Sequence, residues 1–204
     1  MMIRSTFALA LAAVVAAAAA CTEATEPGAV RDLDTAEAEF LALSVDQTSD
    51  AAAGDAFSAG SVAGPATIPG DGTWTFSFES TRECPAGGTV TVAGSGEFTR
   101  DSFEGTAEMD FEAAKTIAAC AFVRDDVTFT VNGDALLQVH WLRVDKTLVE
   151  AERHLTGSIQ VVTSDGRERE CAFELHSVFD PESGRVIVSG ELCGRPIDGT
   201  WARG

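Results

Sequence analysis

Alternation of apolar and polar residues constrains this chain more than any other feature. Residues 73–80 read TWTFSFES, with Trp74, Phe76 and Phe78 interleaved with Thr73, Thr75, Ser77 and Glu79. Successive side chains on an extended strand point to opposite faces, so the aromatics share one face and the polar groups the other. Phe103, Ala107, Met109 and Phe111 alternate in the same way with Ser102, Glu104, Thr106, Glu108, Asp110 and Glu112. Arg169, Cys171, Phe173, Leu175 and Phe179 alternate with Glu170, Glu174, His176 and Asp180. Further strands are expected near 88–98, 127–132, 135–145, 157–164 and 185–194, while 146–155 reads equally as strand or helix. One wet and one dry face predict an all-β domain over 71–204: a single antiparallel sheet of about eight or nine strands, a curved meander or barrel-like, folded over its own core. Trp74, Phe76, Phe78, Phe103, Phe111, Phe173 and Phe179 are the expected interior, as simple core in preference to the lining of a lipid cavity.

Turn residues set the connections. Asn132-Gly133 and Asp165-Gly166 are hairpin signals, because both residue types tolerate positive φ. Pro85 to Gly88 and Pro181 to Gly184 are looser turns. Links this short force antiparallel neighbours. Three short motifs recur, R-E-C at 82–84 and 169–171, G-x-V-x-V-x-G at 88–94 and 184–190, and D-G-T-W at 71–74 and 198–201; duplication and chance are equally good accounts of them.

The chain has five cysteines, Cys21, Cys84, Cys120, Cys171 and Cys193. The last four make an even set, suited to a disulfide framework. Taking Phe179 opposite Arg185 places Cys171 directly across from Cys193 on antiparallel strands, at a separation that a disulfide accepts. Cys84 with Cys120 follows by elimination, since a meander brings the residues after 112 back to the end where Cys84 sits. The other pairings, 84 with 171 or with 193, would staple the two halves together.

Ahead of the β domain the texture differs. Residues 1–20 carry one charge, Arg4, and an unbroken apolar run of fourteen residues from Phe7. A basic start, a run of this length and a small-residue end are marks of a secretory signal peptide, and the run is too short to span a bilayer. Ala18-Ala19-Ala20-Cys21 resembles the lipobox of bacterial lipoproteins, although that family usually has Leu where Ala18 stands. The resemblance covers the leader only. It implies that Cys21 is lipidated and anchors the protein. With Thr22 and no Asp after the cysteine, it also implies an outer-membrane lipoprotein of the cell envelope, facing the periplasm or the exterior. Residues 21–70 read as an acidic flexible spacer with nine acidic groups and one basic, Arg31, after Cys21. Asp34 and Glu37 form a candidate capping box for one short helix running through Phe40, Leu41, Leu43 and Val45.

The formal charge of −18 argues against nucleic acid as a partner and against adsorption to anionic lipid, leaving the lipid anchor as the membrane attachment. His140, His154 and His176 have no partner at metal-ligand spacing along the chain, and no C-x-x-C, nucleophile elbow or P-loop occurs. Acid pairs at Asp125-Asp126 and around Glu108 and Asp110 lack a calcium-loop pattern and read as solvated acidic face. No catalytic residue, metal ligand or cofactor is therefore assigned. The expected role is a non-catalytic β domain that binds an envelope protein or a small apolar ligand. The alternatives are a structural or assembly lipoprotein and, ranking below it, an envelope hydrolase.

Overall fold

The computed structural model describes residues 32–58, 62–63, 71–101 and 104–202. A helix, α1 (Thr35–Ser58), is followed by nine strands: β1 (Val62–Ala63), β2 (Gly72–Glu83), β3 (Thr89–Asp101), β4 (Thr106–Arg124), β5 (Val127–Val144), β6 (Thr147–Thr163), β7 (Glu168–Asp180), β8 (Arg185–Leu192) and β9 (Arg195–Ala202). The strands form one antiparallel sheet in chain order, a pure meander. The sheet is curved but not closed, with β1 and β9 as its two edges. Its fold class is the all-β meander read from the alternation. Phe76, Phe78, Phe111 and Phe173 are buried as that reading requires, and Trp74 and Phe179 are half-buried. Phe103, like the leader and Cys21, lies outside the described residues.

Helix α1 changes the picture most. Residues 21–70 were expected to be a spacer with one short helix, and the domain was expected to begin at residue 71. Instead α1 has 24 residues and lies against β2, β3, β8 and β9, spanning the gap between the two ends of the curved sheet. Leu33, Ala38, Leu41, Ala42, Val45, Ala52, Ala53 and Ala56 join the core. Leu33 precedes the helix, and the spacing of the others follows one helical face. The folded unit therefore includes the described residues from 32 onward, α1 among them. The expected capping box is formed: the Asp34 N–H donates to Glu37 Oε2 at 2.9 Å and the Glu37 N–H to Asp34 Oδ1 at 2.8 Å. The full length of the helix stayed hidden in the sequence because its buried face also carries Asp46, Thr48 and Ser49, which blur the apolar period. Small alanines let it lie close to the sheet, and Phe57 at its far end packs among Phe76, Phe78 and Phe111.

Two finer expectations need correction, and one open reading is resolved. Asn132-Gly133 is not a turn but lies inside β5, a continuous strand from Val127 to Val144. It faces a bulge between Ile117 and Cys120, where Asn132 Oδ1 accepts the Ala119 N–H at 2.8 Å. Gly133 has φ of 152°, and a Cβ there would come within 2.2 Å of the Ser158 carbonyl oxygen. Its glycine serves close strand approach. The hairpins on either side turn at Asp125-Asp126 and Asp145-Lys146, four residues with positive φ. Residues 146–155, ambiguous in sequence, lie almost wholly in strand β6. Third, β7 and β8 pair one residue out of the expected register: Phe179 faces Val186, not Arg185. Cys193 accordingly falls in the β8–β9 turn, where its N–H donates to the Ala172 carbonyl at 3.1 Å. Both disulfides nevertheless join the expected pairs, Cys84–Cys120 and Cys171–Cys193, with Cα–Cα distances of 5.4 and 4.7 Å. The register slip was harmless because a residue one step into a tight turn still stays beside the opposite strand. The R-E-C echo has no structural counterpart, since Cys84 follows the end of β2 whereas Cys171 lies near the start of β7.

Candidate functional site

Two polar constellations stand out, one on each face of the sheet. The inner one lies between α1 and the concave face. Asp46 is 1% exposed, and its carboxylate accepts from Arg153 Nη2 at 2.8 Å, Ser177 Oγ at 3.1 Å and Trp201 Nε1 at 2.9 Å. These donors come from β6, β7 and β9, so one helical residue ties three strands together. Arg153 also reaches Asp50, with Nη1 2.6 Å from Oδ1, although that atom has no aligned hydrogen-bond acceptor. Its guanidinium lies 5.2 Å from the centre of the Trp201 ring. One turn along the helix, the Lys115 ammonium of β4 donates to the Val45 carbonyl at 3.0 Å and contacts Ser49 Oγ. Burial pushes the Lys115 pKa down to about 7; the charge of Asp46 opposes the shift and that of Arg153 adds to it. Lysine beside serine has the composition of a nucleophilic pair, but Lys115 and Ser49 are each 1% exposed. Sealed between helix and sheet, the pair cannot meet a substrate, and its role is structural.

The outer constellation is open to solvent. A recess of about 440 Å³ crosses β3 to β7 on the convex face. Every histidine of the chain lines it: His140, His154 and His176. Strand register brings them together, because His154 stands directly across from His176 and His140 directly across from Glu152. The His154 and His176 rings are 6.4 Å apart, centre to centre. His154 Nε2 is 3.2 Å from Glu174 Oε1, and His176 Nε2 is 4.0 Å from Glu152 Oε2. His140 Nδ1 is 2.8 Å from Asp110 Oδ1 and 3.9 Å from Glu108 Oε1. The hydrogen bond to Asp110 raises the His140 pKa, partial burial opposes it, and the charges of Asp110, Glu108 and Glu150 add to the rise. Glu97 and Glu112 complete an acid-rich rim.

Spacing along the chain could not reveal this convergence. His140, His154 and His176 are far apart in sequence, and only the β5–β6 and β6–β7 registers align them. The period-two pattern gave the face of His176, but His154 lies in a segment that reads equally as strand or helix, and a one-residue error in either register would have separated the three. Asp125 and Asp126, the other acid pair considered for calcium, are turn residues with φ of 49° and 66°. No family model, curated protein or solved structure matches this chain.

Proposed function

We propose that this protein is an exported lipoprotein, anchored through acylated Cys21 to the outer membrane, whose β domain is a non-catalytic binding module facing the periplasm or the exterior. The observation that carries the binding part is the position of α1. The concave face of a curved sheet is where a lipid carrier would hold its cargo, and here α1 fills it with Leu41, Val45, Ala52 and Ala56. Recognition then falls to the outer surface. The exposed apolar side chains Val123, Leu136, Val149, Val162 and Ile187 are scattered over several strands, whereas the polar recess over β3 to β7 is a continuous concavity. A polar envelope partner or ligand fits this surface better than an apolar one. Two disulfides suit an oxidising compartment and support export.

Within the recess each of two histidines pairs with a carboxylate, but neither is hydrogen-bonded to a serine or cysteine among the described residues. Mass spectrometry of the full chain, expressed in a two-membrane bacterium and extracted with detergent, tests the anchor. The expected N-terminus is Cys21 bearing acyl chains; an unmodified Cys21, or a start elsewhere, overturns the proposal. Native mass spectrometry of the same preparation should show no lipid retained by the folded domain, and a stoichiometric bound lipid would restore the carrier reading.

A further inference from the structure

We propose that Glu108, Asp110 and His140 bind a divalent transition-metal ion of the zinc class on the outer face of the sheet. This inference goes beyond the binding role proposed above and does not depend on the lipid anchor. Glu108 and Asp110 are two residues apart on β4, and alternation points both to the convex face. His140 on β5 stands directly across from Asp110. One ligand atom from each of the three lies within 4.8 Å of the others. Three ligand atoms around zinc, at roughly 2.0–2.2 Å from the metal, sit about 3.3–3.5 Å from one another. The present separations of 2.8 and 3.9 Å from His140 Nδ1 bracket that value, so small side-chain movements would bring these atoms to ligand spacing. All three groups lie on β-strands in mid-sheet, which holds the ligand frame more firmly than loops would.

The donor set selects the metal. Two carboxylates and an imidazole give hard oxygens plus a borderline nitrogen, which suits zinc, cobalt or nickel better than calcium, whose sites need six to eight oxygens. Three protein ligands leave coordination positions open to water or to a partner's side chain. The remaining charges facing the site point the same way: Glu97 on β3, Glu112 on β4 and Glu150 and Glu152 on β6 add negative potential around a cation. A solvated acidic strip would account for the carboxylates alone. It does not account for an imidazole, His140, standing directly across from Asp110 within reach of both carboxylates.

The test is calorimetric titration of the mature chain, disulfides intact and in detergent, with zinc ion alone. Saturable binding of one ion per chain is expected. His140→Gln and Asp110→Asn should each weaken it at least tenfold, while the double variant His154→Gln/His176→Gln should stay within threefold of the parent. Cobalt ion should give a visible absorption band that His140→Gln abolishes, and millimolar calcium should not compete. All four side chains are exposed or half-buried on the convex face, and unchanged circular dichroism checks that the variants fold. Absence of saturable binding, equal losses in the His140 and His154/His176 variants, or displacement of zinc by calcium would each overturn the proposal.

Discussion

At the residue scale, Lys115 is the group most at odds with its surroundings. It is 1% exposed, and among the described residues its ammonium has Val45 and Ser49 for hydrogen-bond partners. Its folded pKa of about 7 is depressed from the ordinary 10.5. Between those values the unfolded chain binds a proton that the folded chain does not, so stability should rise with pH from about 7 to about 10.5. The chain has no tyrosine, and the four domain cysteines are in disulfides, so few other groups titrate there. Lys115→Met keeps the volume and removes the buried charge. It should stabilise the domain at pH 7 by about 1–4 kcal/mol, the range seen when buried ionic groups are replaced by well-packed apolar ones. Urea unfolding across this pH range checks both points. A flat parent profile, or a destabilised methionine variant, would show that the ammonium is better satisfied than its two contacts suggest.

At the scale of elements, the start of α1 is bolted to the β6–β7 turn. Arg167 donates to both carboxylate oxygens of Glu37, each at 2.8 Å, and to Asp165 at 3.0 Å. These bonds hold Glu37 below its ordinary pKa of 4.5, while its desolvation opposes them. Its folded value is depressed, so the stabilisation is present above about pH 4.5 and is lost as pH falls through the folded value. Glu37→Gln keeps a capping-box side chain but loses the charge, and its unfolding free energy should fall less steeply on the acid side than the parent's. Identical acid slopes would remove Glu37 from the account. This anchor shows how far the sequence was legible. Asp34 and Glu37 announced the helix start, because a capping box is local. Nothing local announced that α1 would run to Ser58 or lie inside the sheet, because its buried face contains Asp46 and Ser49, whose partners lie on distant strands. The hairpins were readable where glycine supplied the positive φ, as at Gly166. They were missed at Asp125-Asp126 and Asp145-Lys146, where residues with side chains adopt it at some cost.

At the scale of the whole molecule, the meander order follows from short connections, and the alternation fixes which face of each strand is dry. The convergence of three histidines on one recess is different in kind. It depends on the product of several registers, and the β7–β8 pairing shows how easily one is misjudged from sequence. The assignment of recognition to the outer face rests on α1 being part of the core and so closing the inner one. Native-state hydrogen exchange tests that most directly. The amides of Leu41 to Ala53 should exchange only through global unfolding, as slowly as those of β5 and β6, and should keep that protection when micellar lipid is added. Rapid exchange across α1, or loss of its protection on adding lipid while the strands stay protected, would mean that the helix is a displaceable plug and the concave face a binding site.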